Sequence, residues 1–368
     1  MKYIFTSFLL LLICSTNVDA QCNGFNELCG KRYDEVAYLT THNAFNSEAG
    51  GFSLPNQNFD IATQLNEGVR AFMIDVYTWF GTTVVYHGTG VLGTSPLVDE
   101  LNKISSFLSA NPNEIVTVIL EANVSANDIE TSINASGLNA YLYTHSLGTS
   151  WPTLQEMIDA DTRLVILSDV DDASGSQAWY HYVWAFAVET HFSANSTADF
   201  NCDFNRGDSL NDLFIFNHFI TNSVLGTGMP GEAAIINANP YFIDRVRACQ
   251  LEKSKFPNFI TVDFYDLGDS KLVVDELNDV VSLSVQGLPS LSDEVIICPN
   301  PSSKWITLKS ATIELADLVL ISPEGKDVTN RVQMNQVSKK EWSIDVSNLE
   351  KGMYIIKTAK TANAFNVF

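Results

Sequence analysis

The chain has 368 residues, 46% of them hydrophobic and 17% charged, which allows a sizeable core and argues against a disordered chain. Formal net charge is −22 and unevenly spread: residues 21–296 carry 11 Lys and Arg against 35 Asp and Glu, whereas residues 297–368 carry 9 against 7. That step predicts two separately built units, and the acidic larger one excludes nucleic acid as a partner, because a phosphate backbone needs a basic footprint.

Residues 1–20 read as a secretion signal. Lys2 begins it, an apolar run from Ile4 to Cys14 follows, and Val18-Asp19-Ala20 offers a small-residue cleavage site. The run is too short to span a bilayer, and no later stretch of about 18 apolar residues exists. Export permits disulfides. Cys22 and Cys29 flank a short loop and are expected to pair, with Cys202 and Cys249 as the next expectation and Cys298 left over. Spacing alone does not fix this connectivity.

From Glu35 to about Asp279 apolar runs alternate with amphipathic segments. The strands expected are Val36–Thr41, Ala71–Tyr77, Val84–His87, Ile115–Glu121, Arg163–Ser168, Leu213–Phe219 and Phe259–Tyr265. Their near-continuous apolar and β-branched character suits strands buried on both faces. Helical periods fall between them, as in Leu97–Leu108, which Asn111-Pro112 ends. The alternation predicts an α/β fold with a parallel sheet, and the polar residues collect at strand C-termini. That distribution favours a closed TIM-type (β/α) barrel with one site at that face. Asp169 to Asn211 reads as an elaborated loop region beside the pocket. Residues 285–296 read as a linker, and 297–368, with short strands at Trp305–Lys309, Leu318–Ile321, Trp342–Val346 and Met353–Lys357, as a small all-β sandwich.

The chemistry gathers in a few words. His42 and Asn43 follow the first strand, Asp75 lies in the second, His87 follows Tyr86, Glu121 ends another strand and Asp263 lies in the last. Two histidines at one mouth can act as general base and general acid, since imidazole titrates near neutral pH. Asn43, Asp75 and Glu121 offer oxygen ligands suited to calcium or magnesium. A cation would offset a phosphate that an acidic domain without a Lys or Arg cluster does not attract. His145, His181, His191 and His218 read as structural hydrogen-bonders.

These words resemble the phosphatidylinositol-specific phospholipase C X domain and its relatives. AYLTTHNAF is similar to its first box, NQNFDIATQLNEGVRAFMIDVYTW to its second, VVYHG to the box of the second histidine and FLSANPNEIVTVILE to the strand ending in a metal-binding glutamate. RLVILSD and FPNFITVDFYD look like later strands of the secreted branch found in plants, fungi and bacteria. The resemblance covers roughly Tyr33 to Asn278. It implies that His42 takes a proton from the inositol 2-hydroxyl, that His87 protonates the leaving alkoxide, and that Asp263 orients His42. It also implies metal ligation by Asn43, Asp75 and Glu121, with Met73 standing where calcium-dependent members have another acidic ligand. Arg70 is expected to have a structural role in a buried ion pair.

The tail resembles the C-terminal sorting domain of type IX secretion cargo, on CPNPSSKW, VLISPEGKDV and VSNLEKGMYIIKTAK. The expectation is therefore a secreted or cell-surface monomer of a Bacteroidetes-like Gram-negative cell, carried by the type IX machinery. It would be a metal-assisted phosphodiesterase acting on a phospholipid or inositol-phosphate-type substrate, with transient contact to a membrane surface. The alternatives are a non-catalytic binding module and a glycerophosphodiester phosphodiesterase.

Overall fold

Runs of valine, isoleucine, leucine and phenylalanine pair side by side into one curved sheet, because their main chains can only satisfy their hydrogen bonds on one another once water is excluded. The structure is a computed structural model. It describes residues 21–172, 176–222, 226–280, 295–298, 302–310, 318–322, 326–338, 341–357 and 362–367. The signal segment expected at 1–20 and nearly all of the linker expected at 285–296 lie outside the described residues. The chain divides into two compact units, Met1–Val281 and Ser282–Phe368.

The strands of the first unit are β1 (Tyr38–Thr41), β2 (Ala71–Trp79), β3 (Thr82–Val85), β4 (Ser95–Pro96), β5 (Val116–Ala122), β6 (Leu164–Ser168), β7 (Tyr180–Tyr182), β8 (Ala187–Thr190), β9 (Phe204–Gly207), β10 (Leu213–His218) and β11 (Phe259–Val262). The sheet runs β7-β6-β5-β2-β1-β11-β10-β8-β9. Along this path every ladder is parallel except β8 to β9, and off it β3 pairs antiparallel with β2 and β4.

A closed barrel is therefore not what forms: the sheet is an open, mixed half-barrel. Among the described residues no ladder joins β7 to β8 or β9. The reason lies in the connection. Parallel neighbours need a crossover of a dozen or more residues, and only the one-turn helix Val183–Phe186 separates β7 from β8. The chain instead folds β9 back against β8, where Gly207 is required. A Cβ there would lie 2.0 Å from the Ala187 carbonyl oxygen.

The segment expected as one elaborated loop thus holds three strands. Val84–His87 also departs from expectation, since β3 is the return strand of a hairpin on β2 and not a member of the parallel set.

Helices cover the outer face. α1 (Ile61–Asn66) starts on Asp60, whose side chain accepts from the Thr63 amide. α2 (Leu97–Ala110) buries Leu97, Leu101, Ile104 and Leu108, one stripe at helical spacing. α3 (Ala126–Ser136) opens with a Ser125/Asp128 capping box and ends at Gly137 with φ 76°. Among the described residues no helix is long and apolar enough to cross a membrane. Disulfides join Cys22 to Cys29 and Cys202 to Cys249. Arg70 pairs with Glu114 at 2.7 Å, at the N-terminal end of β2, away from the polar strand ends.

The second unit has two antiparallel sheets. β12 (Val295–Cys298), β13 (Trp305–Ser310), β15 (Gln333–Ser338) and β16 (Glu341–Asp345) form one, in the order β12-β13-β16-β15. β14 (Val319–Ile321), β17 (Gly352–Lys357) and β18 (Ala362–Val367) form the other. Ile306, Leu308 and Ile344 from the first meet Leu320, Ile356 and Phe365 from the second in one core.

Candidate active site

Alternation along the strands builds the site. Every second side chain of the parallel sheet points into the half-barrel. Low in the interior these positions are apolar, with Ala71, Ile119, Val165, Leu167, Leu213, Ile215 and Phe259 in one cluster. The next inward positions toward the C-terminal ends are Asp75, Glu121, Asp169, Glu189, Asn217 and Asp263. All but the last line a single cavity at the mouth, together with His42 and Met73. An adjoining cavity adds Asn43, Tyr77 and His87.

His42 follows β1 and is held from both sides. Its Nδ1 lies 2.9 Å from Asp263 Oδ1, and its ring stacks on Phe219 at 3.9 Å between centroids. Gln57 donates its amide to the His42 and Val262 carbonyls, at 2.9 and 3.1 Å. Asn56 donates to both oxygens of Asp263, each at 3.1 Å. A carboxylate so satisfied accepts the Nδ1–H of His42, which leaves Nε2 as the lone-pair nitrogen.

His87 follows the β2–β3 hairpin, 6.4 Å from the His42 ring. Its Nδ1 is 3.2 Å from Asp75 Oδ2 and its Nε2 is 2.8 Å from the Gly226 carbonyl. Both nitrogens thus face oxygen acceptors, an environment that suits the imidazolium. The hydrogen bond to Asp75 raises the His87 pKa above the ordinary histidine value, burial works against it, and the Gly226 carbonyl supports it.

Asn43 sits between these groups at φ 47°, a left-handed conformation that Asn tolerates. Turned one way, its amide nitrogen donates to Asp75 at 3.1 and 3.2 Å while its oxygen faces His42 Nε2 and His87 Nδ1, each at 3.1 Å. Turned the other way, the amide oxygen meets the carboxylate, an approach of acceptors that a cation would hold together. Glu121 lies directly across from Asp75 in the β2–β5 ladder. Crowding by the cavity walls, then the charges of Asp75 and Asp169, raise the Glu121 pKa. Burial likewise raises that of Asp169.

Among the described residues no three His, Cys, Asp or Glu side chains converge to hold a metal. A site here needs the Asn43 oxygen beside Asp75 and Glu121. That donor set, all oxygen and bringing the Asp75 and Glu121 carboxylates side by side, fits a hard cation in kind. Met73 contributes only a thioether to the cavity wall.

Several residues around the site take no role from the sequence, even where they fall within a family-like word. Asn56 and Gln57 are such a pair, adjacent polar side chains buried below the mouth. Arg206 on β9 is another. Its guanidinium lies over Trp184 at 4.3 Å and Phe192 at 4.6 Å, and it donates to Glu189 at 2.5 and 3.2 Å. Glu189 is also held by Asn217 at 3.2 Å. Arg206 is the only Lys or Arg among the described residues lining that cavity.

Residues 28–278 match the PI-PLC X family model, and residues 296–366 match the secretion system C-terminal sorting domain. A PI-PLC X domain-containing protein of Arabidopsis thaliana is 28% identical over 81% of this chain and 72% of its own length. An uncharacterized secreted protein of Arthroderma benhamiae is 27% identical over 67% of this chain, which spans 61% of that protein. Among solved structures, the phosphatidylinositol-specific phospholipase C of Listeria monocytogenes aligns with TM-score 0.48 at 17% identity, over 70% of this chain and 98% of that one. The chain belongs to the PI-PLC X family, joined to a type IX secretion sorting domain that marks a secreted or cell-surface protein.

Proposed function

We propose that the protein is a secreted phosphodiesterase of the phospholipase C type, acting on a phospholipid or inositol-phosphate-type diester through His42 and His87. One observation carries the reading: two imidazoles flank one mouth, each tied to its own carboxylate, His42 to Asp263 and His87 to Asp75. The two environments differ in the sense acid–base catalysis requires. His42 carries its lone pair on Nε2, 3.1 Å from the Asn43 side-chain amide, and His87 favours its protonated form.

In this reading the substrate hydroxyl, the inositol 2-hydroxyl for a phosphoinositide, gives its proton to His42 Nε2 as its oxygen attacks phosphorus. The bond from phosphorus to the glycerol oxygen breaks, and His87 delivers its Nε2 proton to that leaving oxygen. A cyclic phosphate and diacylglycerol result. Asp263, fixed by Asn56, holds the His42 tautomer and stabilises the imidazolium that forms. Asn43, Asp75 and Glu121 would hold calcium or magnesium, which when bound would neutralise phosphate charge and lower the pKa of the attacking hydroxyl.

The test uses the purified full chain with phosphatidylinositol and a soluble glycerophosphodiester. His42→Ala and His87→Ala are each expected to cut turnover roughly 10²–10⁴-fold without lowering the melting temperature. Near-wild-type turnover by either variant overturns the reading. Excess EDTA is expected to abolish activity, and unaffected activity would remove the cation while leaving the histidine pair.

A further inference from the structure

Along β2 the side chains of Ala71, Met73, Asp75 and Tyr77 share the inward face, so Tyr77 is the next inward residue after Asp75 toward the mouth. Its ring stacks on Tyr86 of the same hairpin, at 4.0 Å between centroids and 13° between planes, and Tyr86 in turn meets Trp79 edge-on at 5.7 Å. The β2–β3 ladder pairs Tyr77 with Val84, which fixes the backbone beneath the ring. A phenylalanine would make the same stack. The hydroxyl is therefore not needed to hold the hairpin, and it makes no hydrogen bond to a described residue.

Other tyrosines of this unit spend the hydroxyl on the fold. Tyr33 meets Thr117 at 2.6 Å, Tyr38 donates to the Tyr33 carbonyl at 3.1 Å, Tyr180 meets Ser168 at 2.6 Å and Tyr265 donates to Glu67 at 2.6 Å. Tyr77 is the only tyrosine among the described residues that lines either cavity of the site.

Its place is on the His87 side. The inner cavity, of about 110 Å³, and the outer one, of about 450 Å³, share a wall that includes His42, Asp75 and Glu121. Tyr77 and His87 line the outer cavity alone, where the leaving group of a diester reacting at that wall would lie. No Lys or Arg among the described residues lines this outer cavity. Both His87 nitrogens are already committed, to Asp75 and to the Gly226 carbonyl. The other polar side chains there, Ser193, Asn195, Thr221 and Asn222, come from connecting segments, whereas Tyr77 stands on a strand. A phenol also suits an acidic mouth. A mobile cation would be drawn onto Asp75 and Glu121, as Arg206 is drawn onto Glu189, but a neutral hydroxyl stays directed where the strand aims it.

We infer that Tyr77 is a further catalytic residue, whose hydroxyl donates a hydrogen bond to a nonbridging oxygen of the phosphate while the leaving oxygen departs toward His87. It gives up no proton; its work is to hold charge that grows in the transition state. The inference rests on the proposed reading that the site cleaves a phosphodiester, and it adds the donor that grips the phosphate on the outer side.

The experiment is steady-state turnover by the purified full chain of phosphatidylinositol and of its two phosphorothioate diastereomers, each with sulfur at one nonbridging position. Tyr77→Phe is expected to lower kcat for the oxygen diester roughly 10- to 100-fold, the loss of a hydrogen bond to a charged group, with KM little changed. Sulfur accepts hydrogen bonds poorly, so the penalty for sulfur at one of the two positions is expected to shrink severalfold in Tyr77→Phe. The penalty at the other position is expected to be the same in both proteins. A merely structural role would slow all three substrates alike. The melting temperature is expected to be unchanged, since the stack survives and no partner is lost. Wild-type-like kcat, a loss confined to KM, sulfur penalties equal in both proteins at both positions, or a lowered melting temperature overturns the role of Tyr77 and leaves the histidine pair standing. No turnover by the wild type removes the reading on which that role rests, and the role with it.

Discussion

Asp263 is almost wholly buried, and a buried carboxylate is tolerated only where donors surround it. His42 supplies one donor and the Asn56 amide supplies two more contacts, while the Asn56 oxygen accepts from Asn46 at 2.7 Å. Asn56 therefore acts through Asp263, as a positioning residue. Asn56→Ala is expected to lower kcat by about 10- to 100-fold, with KM for a soluble substrate little changed. Steady-state kinetics on a glycerophosphodiester check this, and a change confined to KM would point to substrate contact instead. At this scale the sequence carries half the message. His42, Asn43, Asp75, His87 and Glu121 stand in recognisable words, because chemistry fixes their spacing from strand ends. Asn56 opens the second of those words and Phe219 ends an expected strand, but their roles, like that of Arg206, depend on which loops meet across the mouth. The Asn56-Gln57 pair left one clue, two adjacent amides ahead of a helix cap.

The strands illustrate how one element serves two layers. β10 turns Leu213, Ile215 and Asn217 inward and Phe214, Phe216 and His218 toward the helices. His218 is fully buried there, donating from Nε2 to the Ile236 carbonyl at 3.0 Å and accepting from Arg245 at 2.8 Å. That pattern fixes a neutral ring, and burial, followed by the Arg245 charge, pushes its pKa well below the ordinary 6.5. His181 on β7 is lowered in the same direction, first by burial. For a depressed histidine the unfolded chain takes the proton first. The stability it contributes is whole above pH 6.5 and is lost as pH falls from there toward the folded value. Urea unfolding should therefore show stability dropping as pH falls below about 6.5, by up to roughly 1.4 kcal/mol per pH unit for each such proton. His218→Gln is expected to be less stable at pH 7.5 and to have a shallower slope. An unchanged slope would assign the acid sensitivity elsewhere. Elements of this kind were legible where apolar runs are long. β7, β8 and β9 have only three or four residues each among Ser, Asn and Asp, too short for a period to emerge from the background.

The half-barrel leaves its edges to be managed by other means, and the chain does so at β9. The strand turns back antiparallel, Arg206 ties it to Glu189, and Cys202, just before it, is bonded to Cys249 on the helix Tyr241–Lys253. Whether the sheet closes depended on the residues between Tyr182 and Ala187, a short connection whose consequence is topological and invisible to local periodicity. The sorting domain, by contrast, was legible from words at its start, in its middle and near its end, with its charge step in agreement. The two disulfides differ in what they constrain. Cys22 and Cys29 are 7 residues apart, whereas Cys202 and Cys249 are 47 apart. Restricting the unfolded chain scales with the logarithm of that separation, about 2.5 kcal/mol for the short loop against about 4 kcal/mol for the long one. The long bridge also holds the antiparallel edge, so its loss removes a native clamp as well as an unfolded-state constraint. Cys202→Ser with Cys249→Ser is therefore expected to lower the urea midpoint of the first unit more than Cys22→Ser with Cys29→Ser. The loss should concentrate at β9, read as faster amide exchange from Phe204 to Gly207 in the native state. Equal loss from both pairs, with no local gain in exchange, would mean that the edge is held by Arg206 and the ladder alone.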